Sequence, residues 1–164
     1  MLICYNSDGE IAYNKVTDAA FEHLQLFGEL AAELVFASPD EIREVNLRTR
    51  GIDKATDVLS FPTLNHPIDL KDYLKNNTKK KAFTRQNYPH DFDPELNAVF
   101  LGSVMLCREI AANQAKEIGH SVEREECYLF VHGLLHLFGF DHETEEEKHA
   151  MRETEKILML PILP

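Results

Sequence analysis

The chain has 164 residues, which suits one domain with a single hydrophobic core over residues 1–164. Its 44% hydrophobic content is ordinary for a globular protein, and its net charge of −11 argues against indiscriminate binding to nucleic acid. No secretory signal is expected, because the N-terminal residues lack a basic region followed by a long apolar one. No membrane span is expected, because the longest charge-free stretch is too short and contains histidines. Cys4, Cys107 and Cys127 are scattered, so we expect reduced core residues of a cytoplasmic protein.

The first apolar runs predict a strand, a helix and a second strand. A strand over 2–5 precedes a cluster of turn residues. A helix capped by Thr17 or Asp18 is predicted to end near Gly28. The run at 34–36 lies between that glycine and a Ser-Pro pair, which favours a strand over a longer helix.

Ser38 begins the next predicted helix. Pro39 stands at the first helical position and Glu41 at the third, which is a capping box, and the helix should end near Gly51. The alternating segment 57–62 then stops at a proline and is the clearest strand of the chain.

Residues 64–96 form a polar connection, in which we predict one short helix over 70–74. We call this segment the basic connection, because it contains Lys71, Lys75, Lys79, Lys80, Lys81 and Arg85. A solvated loop is the simpler interpretation of this charge, and contact with a polyanion is the alternative.

The last third predicts one strand and three helices. The strand covers 98–106, and a helix follows over 108–118. Ser121 caps the next helix, and a second capping box at Thr144 begins a helix to about 158.

Three histidines in an otherwise apolar segment are the main functional signal. His132 and His136 are four residues apart and therefore share one helix face. Gly139 can end the helix in a left-handed conformation, so that the chain turns and returns His142 to the other two. Three imidazoles with an open fourth position are typical of a catalytic zinc site. The alternative is that the three histidines are core residues, each hydrogen-bonded to the protein. Without such partners or a metal ion, burial would cost about a few kcal/mol for each imidazole.

The histidine spacing also matches the long zinc motif of metzincin peptidases. Those peptidases need glutamate directly after the first histidine as the catalytic base, and here that position is Gly133. Asp141 is the nearest acid. It could orient a ligand histidine, accept a proton or cap the turn, and support of a ligand is the favoured role.

Three blocks together resemble the YbeY endoribonuclease family. The run from His132 to His142 is similar to that family's H-G-x-L-H-L-x-G-Y-D-H. Asn46 with Arg50–Lys54 and Thr56–Pro62 looks like the family's N-x-x-Y-R-G-x-D-x-P-T-D-V-L-S-F-P. The stretch Leu101–Cys107 resembles a third block.

Four residues depart from the family's pattern. Phe140 stands in place of tyrosine, Thr49 in place of tyrosine, Ala55 in place of proline and Ser103 in place of aspartate. The basic connection is also longer than the family's corresponding segment, so no role is carried over to it.

The resemblance implies an α+β fold, with a small mixed four-stranded sheet flanked by helices as in zincin catalytic domains. It implies one zinc per chain on His132, His136 and His142, and a catalytic Arg50 that acts on a phosphodiester. The implied activity is cleavage of single-stranded RNA in ribosomal RNA maturation, at the 3′ end of the small-subunit RNA, and in ribosome quality control. The implied partners are the small ribosomal subunit and its assembly factors.

Two other hypotheses remain open at this stage. One is a zinc hydrolase of another bond, such as a peptidase or amidase, against which Gly133 counts. The other is a non-catalytic ribosome-assembly protein with structural zinc. The remaining histidines lack ligand spacing and are predicted to lie on the surface: His66, His90, His120 and His149.

Overall fold

The computed structural model describes residues 1–9, 12–75 and 82–162. Its elements in chain order are β1 (Leu2–Asn6), α1 (Asn14–His23), β2 (Phe27–Gly28), β3 (Leu30–Phe36), α2 (Pro39–Arg50), β4 (Val58–Pro62), α3 (Leu70–Leu74), β5 (Ala82–Phe83), β6 (Phe92–Asp93), β7 (Ala98–Leu106), α4 (Arg108–Ile118), α5 (Val122–Leu137) and α6 (Glu145–Met159). None of the helices in these ranges has the length and apolar character needed to span a membrane.

A mixed sheet forms the centre of the molecule, with strand order β1-β3-β7-β4. β1, β3 and β7 are parallel, and β4 runs antiparallel to β7 along its other side. This confirms the predicted α+β class and the four main strands. The sheet also has a fifth strand that the sequence did not predict, since β6 pairs with the start of β7.

Helices cover both faces of the sheet. On one face, α5 packs across β4 and β7 and contributes much of the main core, including Phe130 and Leu134. On the other face, α2 contributes Ile42 to a smaller cluster with Leu59 and Cys107. The three cysteines are free and buried, as predicted. The edge strand β4 is therefore held between two helices that both reach the functional site.

The predicted caps of three helices are confirmed. Ser38 and Thr144 form complete capping boxes, and the Ser121 hydroxyl accepts from the backbone of Arg124. The predicted cap of α1 is wrong. Tyr13 begins that helix in a left-handed conformation, and Thr17 lies buried inside it, where its hydroxyl donates to the Asn14 carbonyl.

The end of α1 is also earlier than predicted. The helix stops at His23, and Gln25 then adopts a positive φ of 51°. Phe27 lies in β2, with 63% of its surface exposed. Phe27 therefore lies in a strand beyond the end of the helix, which was predicted to reach Gly28.

The basic connection is only partly the solvated loop that its composition favours. The short helix over 70–74 is confirmed as α3, and β5 and β6 lie further along. Leu64, Ile68 and Phe83 are buried in the main core. Lys79, Lys80 and Lys81, on which the prediction of a polyanion contact mainly rests, lie outside the described residues.

Candidate metal centre and active-site cleft

The last two turns of α5 and the loop after it bring the three predicted histidines together. His132 and His136 lie one turn apart on the helix. Gly139 has a φ of 95°, and the loop it starts returns His142 to the helix. The ligand nitrogens of the three side chains all lie within 4.8 Å of one another. The structure thus brings together in one cluster the three histidines that were predicted from their spacing in the sequence.

Hydrogen bonds fix the orientation of the two helical imidazoles. The Nδ1 of His132 lies 2.8 Å from the Glu155 carboxylate, and the Nδ1 of His136 lies 2.9 Å from the Phe140 carbonyl oxygen. Since both partners only accept, each Nδ1 donates and each Nε2 keeps its lone pair. The two Nε2 atoms face each other at 3.2 Å.

This arrangement fits a tetrahedral metal ion. Two nitrogens bound at about 2.0–2.1 Å in tetrahedral geometry are roughly 3.3–3.4 Å apart. Two opposed lone pairs at the observed distance repel each other unless a cation lies between them. Burial lowers the pKa of His136, and the neighbouring His132 and His142 lower it further, which favours the neutral imidazole that a metal binds.

Glu155 on α6 supports the cluster, although no motif in the sequence indicates this role. Only 6% of its surface is exposed, and its second oxygen accepts from the Tyr128 hydroxyl at 3.3 Å. A carboxylate behind a ligand histidine fixes the ring and raises its basicity. No spacing in the sequence links Glu155 to His132, because the packing of α6 on α5 brings them together.

Replacing Glu155 with glutamine is expected to weaken metal binding by about tenfold, within the ~10–100-fold range for such partners. Glutamine keeps the size and can still accept from the imidazole of His132, but it lacks the negative charge. Competition with a chromogenic chelator measures the dissociation constant. Glu153→Gln is the matched control, because Glu153 is exposed on the same helix and pairs with Lys156. Equal affinities for the two variants would show that the carboxylate has no role in metal binding.

Gly133 occupies a position that has no room for a side chain. A Cβ there would lie 2.7 Å from Cγ1 of Val104 and 3.2 Å from the Ser60 hydroxyl. Val104 is buried and β-branched, so it cannot move aside by changing its rotamer at low cost. A peptidase glutamate is thus missing from the sequence and also sterically excluded from this helix position.

A cleft of about 650 Å³ extends from the histidines across β4 to the end of α2. Its lining includes Arg50, Asp57, His66 and Asp141. The structure therefore brings the predicted Arg50 and Asp141 to the same cleft as the three histidines. Their catalytic roles remain predictions.

Arg50 is the last residue of α2, and the local backbone holds its position. Gly51 ends the helix with a φ of 72°, and its N–H donates to the Leu47 carbonyl. The buried Asn46 amide donates to the Lys54 carbonyl at 2.8 Å, which ties the following loop to the helix. Arg50 is exposed and forms no ion pair with any described residue, so its guanidinium can bind an anion in the cleft.

The two carboxylates of the cleft are already engaged by the protein. Asp141 accepts the backbone N–H of His142 at 2.8 Å and so shapes the turn that carries this histidine. Asp57 accepts from the Gln114 amide at 3.0 Å and from the N–H of Val58 at 2.8 Å. Both contacts favour a positioning role over proton transfer.

His66 and His120 have surroundings that their sequence positions did not indicate. His66 is exposed as predicted, but it borders the cleft, and a Cβ on Gly139 would lie 3.0 Å from its Cα. The surface prediction for His120 is wrong. Its side chain is 17% exposed, and its Nε2 lies 3.0 Å from the buried Glu125. His90 and His149 are exposed as predicted.

Of two departures from the family pattern, Phe140 borders the cleft and Ser103 does not. The Phe140 ring is buried and packs edge-on against Tyr73, with 5.0 Å between ring centroids. The Ser103 hydroxyl donates to Glu33 on the neighbouring strand at 2.6 Å and is not part of the cleft lining.

The mixed sheet, the crossing helix and the histidine cluster define a zincin-like domain whose three clustered histidines are arranged to hold a metal ion. A solution structure from Thermotoga maritima has a similar fold, with a TM-score of 0.53 at 20% identity, and the match covers 97% of this chain and 89% of that one.

A family model described as endoribonuclease YbeY matches residues 6–162. A Clostridium botulinum protein named Endoribonuclease YbeY is 40% identical over 157 residues, covering 88% of this chain and 89% of that protein. A Clostridium perfringens protein of the same name is 43% identical over 129 residues, covering 77% and 70%. The chain belongs to the endoribonuclease YbeY family.

Proposed function

We propose that this protein is a zinc-dependent endoribonuclease that cuts single-stranded RNA during ribosomal RNA maturation. The observation that supports it best is the histidine cluster, which shares one cleft with an arginine that has no ion pair among the described residues. Relatives named Endoribonuclease YbeY support the same reaction class.

His132, His136 and His142 would hold one zinc ion. Zinc prefers three imidazoles with an open position in catalytic sites. When bound, it lowers the pKa of a coordinated water to about 7 or polarises a phosphoryl oxygen. Glu155 and the Phe140 carbonyl hold two of the rings with Nε2 directed into the cleft. Asp141 holds the backbone of His142.

Arg50 would bind the phosphodiester from the opposite side of the cleft. A guanidinium donates two parallel hydrogen bonds to phosphate oxygens and stabilises the charge that develops on them in the transition state. Because its charge is not neutralised by a described carboxylate, the guanidinium supports phosphodiester chemistry more than peptide hydrolysis.

The open cleft suits a single strand, whose backbone and splayed bases are accessible. We extend the proposal to the 3′ end of small-subunit ribosomal RNA and to ribosome quality control, with the small subunit and assembly factors as partners in the cytoplasm. Residues 1–164 would act as one domain. Recognition by such partners would also explain how a chain with a net charge of −11 selects its RNA.

The test of this function compares substrates. Protein loaded with one equivalent of zinc should cut a single-stranded ribosomal RNA fragment. It should not cut the same RNA sequence when that is part of a duplex, and it should not cut casein. A chelator should stop the cleavage, and added zinc should restore it. Casein hydrolysis that follows the metal, without RNA cleavage, would contradict the proposal and support a hydrolase of another bond.

A further inference from the structure

A second groove leaves the metal centre between α5 and α6. Its first part, about 310 Å³, is bordered by His132 and His142. Its second part, about 570 Å³, runs to the end of α6. Tyr128, Arg152 and Glu155 border both parts, so the two parts adjoin each other along α6. We call it the α5–α6 groove.

Cations are regularly placed along this groove. Lys148, Arg152 and Lys156 are four residues apart and therefore lie along one side of α6. Eight residues of helix span about 12 Å, which is roughly three phosphates of a stacked strand. Arg124 on α5 borders the far part from the other wall.

These cations are accessible to an anion. Arg152 is exposed and forms no ion pair with any residue in the described ranges. Within the described ranges, Lys148 and Lys156 pair only with Glu145 and Glu153, which are themselves exposed carboxylates on the same helix. Exposed pairs of this kind are weak and yield readily to a phosphate.

The carboxylates in the groove do not oppose an anion strongly. Glu125 and Glu155 are buried, and each faces a histidine, His120 at 3.0 Å and His132 at 2.8 Å. Both carboxylates are thus engaged by histidines, whereas the lining cations Arg124, Lys148, Arg152 and Lys156 have no buried carboxylate as an ion-pair partner among the described residues. The residues that line the groove thus include four cations and two carboxylates, next to the proposed reacting centre.

We propose that the α5–α6 groove binds single-stranded RNA on one side of the cleavage site. Phosphates lie along Lys148, Arg152 and Lys156, and a base stacks on Tyr128, whose surface is 39% exposed. The proposal rests on the proposed function, since it names the path of the substrate of that site. An RNA path is favoured over a protein partner because cations outnumber carboxylates in the lining and because the near part borders the histidine cluster.

The test is binding of zinc-loaded protein to an oligouridylate of about 12 nucleotides. Its 2′-O-methyl groups remove the 2′-hydroxyl as a nucleophile, and gel electrophoresis after each titration verifies that the strand is intact. The double variant Arg152→Gln/Lys156→Gln should bind about tenfold more weakly. The slope of log K against log salt should become shallower by about 1.4, from two lost contacts of ~0.7 each. The matched control is Lys15→Gln/Lys116→Gln, which removes the same charge from exposed positions outside the groove and should change neither quantity.

Equal binding by the groove variant and the control would overturn the proposal and assign the groove to a protein partner. Cleavage of unmodified RNA by the unaltered protein is measured in parallel. If the unaltered protein cuts RNA and the groove variant binds normally, only the groove proposal fails. Suppose instead that the groove variant binds RNA more weakly and with a shallower dependence of log K on log salt, while the unaltered protein cuts nothing. The RNA path is then supported and the nuclease proposal fails.

Discussion

Replacing His136 with alanine is expected to remove the metal from the protein and to abolish RNA cleavage. The variant loses one of three ligands, and two imidazoles leave a divalent metal with too few protein donors for a tight site. Metal content by mass spectrometry should fall from about one ion per chain to background. Cleavage of a single-stranded ribosomal RNA fragment should fall by at least roughly 10³-fold, since the loss includes the whole contribution of the metal.

The matched control is His149→Ala. His149 is exposed on α6 and is not part of the cleft lining, so its removal changes the histidine count without touching the site. This variant should keep its metal and its activity. RNA cleavage that persists in metal-free His136→Ala would show that the nuclease activity comes from a contaminant or from a different centre.

The His136→Ala variant also distinguishes a catalytic metal site from a structural one. A structural zinc contributes folding free energy, and its removal unfolds a small domain. Here Leu134, Leu135 and Leu137 are fully buried beside the histidines and belong to the main hydrophobic core, whose burial does not require a metal ion. His136→Ala should therefore still unfold cooperatively, with a lower melting temperature because the stabilisation by the bound ion is lost. A chain that is unfolded without metal would favour the ribosome-assembly hypothesis with structural zinc.

The parts of this molecule that the sequence predicts are those determined by local chemistry. Ser38, Ser121 and Thr144 cap helices through contacts within three residues, so their pattern is visible along the chain. The histidines were found for the same reason, because a helical turn and one glycine bring them together. The start of α1 was missed because Tyr13 makes no side-chain cap at all.

Contacts between segments that are far apart in the chain leave no such local pattern in the sequence. Glu155 reaches His132 through the packing of two helices, and His66 reaches the cleft because the N–H of Ile68 donates to the Phe138 carbonyl. The burial of Leu64 and Ile68 likewise depends on the end of α5, which a polar composition does not reveal. Arg50 was selected only through the family resemblance, since the 81 residues between it and His132 hide their shared cleft.

Arg50 has the second largest expected effect on the reaction. It stands at the rigid end of α2, across the cleft from the histidines, and no described carboxylate neutralises it. A charge in this position contributes little to folding, because the residue is exposed and makes no ion pair in the described part of the chain. Its contribution is therefore expected in the transition state, where phosphate oxygens gain negative charge.

Replacing Arg50 with alanine should lower kcat by roughly 10²–10³-fold, with metal content and melting temperature unchanged. Arg50→Lys should recover only part of this loss, because an ammonium group cannot bind two phosphate oxygens in the planar geometry of a guanidinium. Arg48→Ala is the matched control. Arg48 is exposed on the same helix about 200° away and is not part of the cleft lining. A comparable loss in Arg48→Ala, or a change in KM alone, would mean that Arg50 only attracts RNA and does not stabilise the transition state.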